Sequence, residues 1–146
     1  MSAHVLVRVP GKINLQLSVG PLQKDGFHPV ATVFQAVSIF DDVKVQLNDD
    51  GLVHVQSTAK VNNHLPLDKE NLAVKAVELM RKKFSITDGI TITLTKEIPI
   101  AGGMAGGSAN AGAAIVGMDA LFNLGLKRND MEKIGAELGA DVPFTI

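Results

Sequence analysis

Residues 98–114, IPIAGGMAGGSANAGAA, put Gly102, Gly103, Gly106 and Gly107 between a strand-like run at 90–96 and a helix-like run of small residues. No other stretch constrains the fold as much, because a strand must end and a helix must begin across it. Glycine reaches positive φ and lacks the Cβ that would hold a ligand away from backbone N–H groups. Where a helix starts at the end of such a loop, the unpaired N–H groups and dipole of its first turn face whatever the loop encloses, and an anion suits them. The stretch therefore reads as a phosphate cradle. It matches neither of the two best-known phosphate fingerprints: no Lys-Ser/Thr pair ends it, and no acidic residue about 20 positions on leads into a second strand. A Gly/Ala-rich helix start selected for close packing is the competing reading.

The rest of the chain must supply a frame for this loop, and its size suits one. A length of 146 residues fits a single core, and 46% hydrophobic with 20% charged residues is a folded composition. The net charge of −1, without a block of like charges, lacks the basic footprint of a nucleic-acid binder. Cysteine is absent, which excludes disulfides, thiolate metal sites and a cysteine nucleophile. The first residues, MSAHVLVRVPGK, carry neither a basic-then-apolar leader nor the run of about 20 apolar residues that a bilayer span needs, so the expected location is cytoplasmic, with no membrane partner.

Taken in order, residues 3–9 alternate as a half-buried strand, Pro10-Gly11 breaks it, and 13–19 alternates again with Lys12 and Asn14 on the polar face. Residues 20–29 read as a loop turned by Asp25-Gly26. Strands are expected at 30–40 and 43–47, with Asn48-Asp49-Asp50-Gly51 as a hairpin turn into 52–56. A polar loop over 57–67 leads to Asp68, an N-cap for a helix over 70–84. Asp88-Gly89 turns the chain into the strand that delivers it to the glycine loop. Helical spacing follows over 108–123, and Asn129 with Glu132 makes a capping-box start for a last helix ending near Gly139. Residues 142–146 look like the opening of a further strand with nothing after it, which suggests a fragment. The expected fold is α+β, a two-layer arrangement of a mostly antiparallel sheet with three helices on one side.

Single residues say less. Asp141 lies in apolar surroundings where an unpaired carboxylate is costly, yet a loop or cap carboxylate fits as well. Lys12 by itself reads as a solvated lysine. His4, His28, His54 and His64 show no metal-ligand spacing, so no metal site is assigned to protein ligands. Ser108 has no triad partners at recognisable spacing, and its hydroxyl fits better beside a phosphate or a magnesium ion.

Three segments together carry more: PGKINL at 10–15, PIAGGMAGGSANA at 99–111 and GADVPF at 139–144 resemble the GHMP kinase family, and DGFHP at 25–29 narrows the match to members with a cytidyl substrate. The resemblance implies a GHMP kinase N-terminal, ATP-binding domain over 1–146 and a C-terminal domain that is missing. It also implies a βαβ crossover between sheet and loop. The implied activity is ATP-dependent phosphorylation of a hydroxyl of a cytidine-diphosphate-linked sugar alcohol in non-mevalonate isoprenoid synthesis, with ATP and Mg²⁺ as cofactors and poor turnover by these residues alone. Lys12 and Asp141 match the catalytic pair, Asp141 accepting the hydroxyl proton and Lys12 keeping it ionised. Ala101, Gly102, Gly103, Met104, Ala105, Gly106, Gly107, Ser108 and Ala109 match the ATP phosphate loop. Asn14, Phe27 and His28 match substrate-holding positions. Ala101 and Ala105 stand where members commonly carry glycine, Ala109 where a second serine is common, and Phe27 in place of a tyrosine. Another GHMP small-molecule kinase, or a non-enzymatic nucleotide- or RNA-binding module of similar architecture, are the alternative readings.

Overall fold

The computed structural model describes residues 2–58 and 65–146, so His64 and part of the polar loop expected over 57–67 lie outside the described residues. Two long strands, β1 (His4–Val19) and β2 (Val30–Asn48), form one antiparallel ribbon. Then come β3 (Val53–Ser57), helix α1 (Leu72–Phe84), β4 (Gly89–Thr95), helix α2 (Gly106–Phe122) and helix α3 (Arg128–Ala136), followed by a single 3₁₀ turn at Pro143–Thr145. The α+β class, the mostly antiparallel sheet and the three helices are as expected.

Strand order is where the structure departs from the sequence reading. The sheet runs β1-β2-β4-β3, with β4 antiparallel to β2 and parallel to β3. Residues 48–51 do turn, held by Asn48 Oδ1 accepting from Asp50 N (3.2 Å) and Asp50 Oδ1 from Leu52 N (2.9 Å), but the strands they join are not neighbours. Gly89 pairs with Asn48, where a side chain would run into Asn48 Oδ1, and so β4 enters the gap. Helix α1 is the crossover linking the parallel pair β3 and β4. A turn motif reports local geometry only, and pairing was decided by the more apolar β4, whose Ile90, Ile92 and Leu94 are fully buried.

Smaller corrections follow the same logic. Pro10-Gly11 does not break β1, because an edge strand tolerates proline; the register shifts instead, so that Pro10 faces Phe40 and Lys12 faces Ala36. The Asp41-Asp42 pair does not divide β2, which runs on as one strand. Helix α1 is capped by Asn71, whose Oδ1 accepts from Ala73 N (3.0 Å), while Asp68 closes the turn before it by accepting from Glu70 N. Helix α3 begins one residue before Asn129, with no side-chain cap. The expected terminal strand is a 3₁₀ turn: Pro143 sets φ at its first position, and Thr145 Oγ1 donates to Val142 O (2.7 Å) and Ser108 O (3.3 Å).

The core lies between the sheet and helices α1 and α2. Val43 and Val45 of β2, the β4 residues, Val77 and Met80 of α1, and Ile115 and Met118 of α2 are all excluded from solvent. The alanines and glycines of α2 let it lie close to β1, β2 and α1, which brings its N-terminus beside the inner part of the ribbon. Among the described residues no helix is long and apolar enough to cross a membrane.

Candidate active site

The glycine loop leaves β4 at Lys96 and enters α2 at Gly106. Its backbone folds tightly: Ala101 (φ 59°), Gly103 (φ 73°) and Ala105 (φ 56°) all take the left-handed conformation, and Gly102 N donates to Pro99 O at 3.4 Å. Glycine adopts this at no steric cost, whereas the two alanines store strain. At Gly106 a Cβ would stand 3.1 Å from both Ile98 Cγ2 and Lys96 Nζ, a tight fit that those side chains would have to yield to accommodate. Helix α2 then starts without a side-chain cap and without an acidic residue in its first turn, which leaves the N–H groups of Gly106, Gly107 and Ser108 for a ligand. Ala109 N is already donated to Ala105 O (2.8 Å), and Ala109 is buried beneath the helix start.

Lys12 fastens the apex of this loop to the sheet. Its N–H donates to Met104 O (3.1 Å), and its ammonium donates to Gly103 O (3.3 Å) and to Asn14 Oδ1 (2.8 Å). Asn14 is oriented in turn by donating Nδ2 to Thr32 Oγ1 (2.7 Å). The ring of Phe34 lies 4.9 Å from Lys12 Nζ, and Phe144 packs on Phe34 with centroids 5.0 Å apart. A buried ammonium thus meets carbonyl, amide and aromatic faces, each of which stabilises positive charge.

Asp141 arrives from the other direction, just after the end of α3. Its Oδ2 stands 3.7 Å from Lys12 Nζ, an ion pair without a direct hydrogen bond, and its side chain is partly open to solvent. A cavity of about 460 Å³ is walled by Lys12, Asp141, Ser108 and the loop residues Ala101, Gly103 and Gly106. A smaller one of about 180 Å³ adjoins it, sharing Leu72, Pro99 and Gly107, and is lined on its far side by Leu65, Asn71, Lys96 and Asn110. No group of three His, Asp or Glu among the described residues forms a metal cage.

The structure therefore brings together Lys12, Asn14, Asp141 and the loop residues singled out in the sequence. Phe27 and His28 stand apart, on the connection between β1 and β2, where Phe27 is exposed and His28 Nδ1 contacts Gly20 O at 2.8 Å. Neither lines the cavity, and the seven steps of β1 from Lys12 to Val19, at about 3.3 Å each, carry the chain roughly 20 Å along the strand before that connection begins. Sequence reasoning missed Phe34 and Phe144, whose roles depend on contacts between distant segments. It also missed the buried set Asp41, Lys96 and Asn110; two adjacent aspartates inside an alternating strand were the available signal.

A loop of backbone donors, a held lysine and a half-exposed carboxylate can bind a polyanion and accept a proton beside it. Comparisons with known proteins place the chain among kinases. The 4-diphosphocytidyl-2-C-methyl-D-erythritol kinase of Mycolicibacterium smegmatis is 46% identical over 145 residues, covering 99% of this chain and 44% of that protein. Its namesake in Mycolicibacterium gilvum is 48% identical over 146 residues, again with 44% of the relative covered, so the chain spans less than half the length of these curated relatives. A crystal structure of 4-(cytidine 5'-diphospho)-2C-methyl-D-erythritol kinase superposes with a TM-score of 0.78 at 31% identity, over 97% of this chain and 48% of that one. The family model for the GHMP kinases N terminal domain matches residues 71–146, just over half of the chain, from the cap of α1 through the glycine loop to Asp141 and the last residue. By that match the chain belongs to the GHMP kinases.

Proposed function

We propose that these residues form the ATP-binding, N-terminal domain of a kinase that transfers the terminal phosphate of ATP to a hydroxyl of 4-diphosphocytidyl-2-C-methyl-D-erythritol. One observation carries the reading: the glycine loop, Lys12 and Asp141 open into a single cavity. The loop suits the phosphates of ATP on physical grounds, since glycine leaves its surface bare and the first turn of α2 offers free N–H groups and the positive end of the helix dipole. Mg²⁺ brought with ATP would find the Ser108 hydroxyl in the cavity wall, and it supplies charge neutralisation along the phosphates when bound.

The chain's own residues then divide the work. Asp141 accepts the proton of the substrate hydroxyl, a role for which a carboxylate partly open to the cavity is suited. Lys12 stands beside Asp141 and places positive charge next to the loop apex, where the transferred phosphate gathers negative charge. Asn14 and Phe34 keep the ammonium from swinging away. The relatives' name and the match of Asp25 to Pro29 favour a cytidyl substrate, with Phe27 and His28 as its expected partners. These residues make up the ATP-binding share of relatives more than twice as long, and slow turnover by this chain alone is expected.

The test is calorimetric titration of the purified chain with Mg·ATP, followed by thermal-shift measurements with the cytidyl alcohol, homoserine and mevalonate. ATP binding together with a response to the cytidyl compound alone is the expected result. Failure to bind ATP, or a response to another alcohol in place of the cytidyl one, would overturn the proposal.

A further inference from the structure

Asp41 is completely buried, and its side chain makes no part of either cavity wall. An ionised carboxylate in such a place is stable only when its oxygens are matched by donors. Asp41 has four. Oδ1 accepts from the backbone N–H groups of Glu97 (2.8 Å) and Ile98 (2.9 Å). Oδ2 accepts from Asn110 Nδ2 (2.8 Å) and from the ammonium of Lys96, which also donates to Asn110 Oδ1 (2.9 Å). Lys96, Glu97 and Ile98 are the upstream end of the glycine loop, and Asn110 lies in the helix that follows its downstream end.

Between those ends the loop has little to keep its shape. Its own backbone supplies the long Gly102 to Pro99 bond, and its apex is held from outside by Lys12. Ala101 and Ala105 are nonetheless kept in left-handed conformations, which unrestrained alanines leave. Some constraint must fix the separation of the two ends, and one side chain of β2 bonds to both.

We propose that Asp41 is a positioning residue for the glycine loop: it ties Glu97 and Ile98 to Asn110 and thereby sets the geometry of the N–H groups that receive phosphate. The functional half of this statement rests on the reading of the loop as an ATP cradle. The same contacts assign Lys96. Its Nζ lies next to the backbone at Gly106, where a phosphate-binding lysine is expected, but its hydrogen bonds go to Asp41 and Asn110. Phosphate charge is thus met by the start of α2 and by Lys12.

Two double variants isolate the tether. Asp41→Asn with Lys96→Met removes the buried charges together, and the new amide can still accept from Glu97 and Ile98 N–H while donating to a flipped Asn110. Asp41→Ala with Lys96→Met is equally uncharged but bonds to nothing. Amide NMR spectra and Mg·ATP titrations are recorded well below the melting temperature, with β4 core amides as the control for folding. In the Asn/Met protein the amides of residues 102–108 are expected near their unaltered positions, with ATP affinity within about threefold. In the Ala/Met protein those amides shift or broaden while Ile92 and Leu94 stay in place, and ATP affinity falls at least about tenfold.

A purely structural Asp41 would lower the melting temperature of the Ala/Met protein and leave its loop spectrum and affinity unchanged, which overturns the proposal. Should the Ala/Met protein not fold, Asn110→Ala, which removes the bonds of Asn110 to Asp41 and Lys96 and leaves those to Glu97 and Ile98 intact, is expected to disturb the same loop amides, and an undisturbed loop would again overturn it. If the unaltered chain does not bind ATP, the cradle reading fails separately, and the loop spectra still decide whether Asp41 is the tether.

Discussion

Two lysine–aspartate pairs meet the same glycine loop and differ in nearly everything else. Lys96 and Asp41 have side chains 6% and 0% exposed, and every oxygen of the carboxylate is engaged. Lys12 is 8% exposed, but Asp141 is 38% exposed and 3.7 Å away, too far for a hydrogen bond. In a low-dielectric interior a fully bonded pair is held firmly, since separating it leaves two desolvated charges. A pair with one member in a solvent-filled cavity can be parted by an incoming hydroxyl at small cost. The same two residue types thus make a fixture in one place and a separable, half-exposed pair in the other, the one proposed above for proton transfer, and surroundings alone distinguish them.

The contrast predicts opposite signatures on substitution. Asp141→Asn is expected to have the largest effect, lowering phosphate transfer by about 10²- to 10⁴-fold from whatever rate the unaltered chain sustains, read by phosphorus NMR of the product. Its stability should stay within about 0.5 kcal/mol in urea denaturation. A Lys96→Met chain reverses the pattern: it strands a buried carboxylate and should lose about 3–5 kcal/mol of unfolding free energy. Lys12→Met leaves Asp141 solvated, so only the ammonium's hydrogen bonds are lost, at about 1–2 kcal/mol. Equal stability losses for the two lysine variants would erase the distinction.

A third pair extends the series to the surface. Arg8 donates to both oxygens of Asp42 at 2.8 and 3.0 Å, and this hydrogen bonding, with a smaller contribution from the charge, holds the Asp42 carboxyl below its ordinary pKa. A depressed folded-state pKa contributes stability above the unfolded carboxyl value, and that contribution is lost as pH falls through the folded value. Asp42→Asn should therefore lower the melting temperature slightly at neutral pH, and the gap from the unaltered chain should close as pH falls below about 4. A gap that persisted in acid would mean that Asp42 acts through packing.

How much of this was legible beforehand depended on how far apart the partners lie in the chain. Residues 13–19 and 90–95 alternate as strands do, and half-buried Leu72 with buried Ala76, Val77 and Met80 recur as a helix stripe, because those signals come from neighbours. Asp68 and Asn129 were plausible caps on local grounds, but the helices started elsewhere, where packing placed the chain. The strands expected at 30–40 and 43–47 left Asp41-Asp42 between them, where the structure has one continuous strand. Asp42 does face Arg8 at the surface, but Asp41 points inward to donors 55 to 69 residues away.

By itself the sequence determined the local chemistry: strand and helix periods, a loop whose glycines allow backbone to approach an anion, and the types of residue able to accept a proton or carry charge. Those follow from backbone sterics and from the period of side chains along an element, which a chain expresses without reference to the rest of itself. Tertiary structure alone decided that β4 lies between β2 and β3, that Lys12 grips the loop apex, and which of two lysine–aspartate pairs is sealed. The physical reason is that burial and hydrogen-bond saturation are set by whatever segments pack around a group, and for Asp41 and Asp141 those segments come from distant parts of the chain.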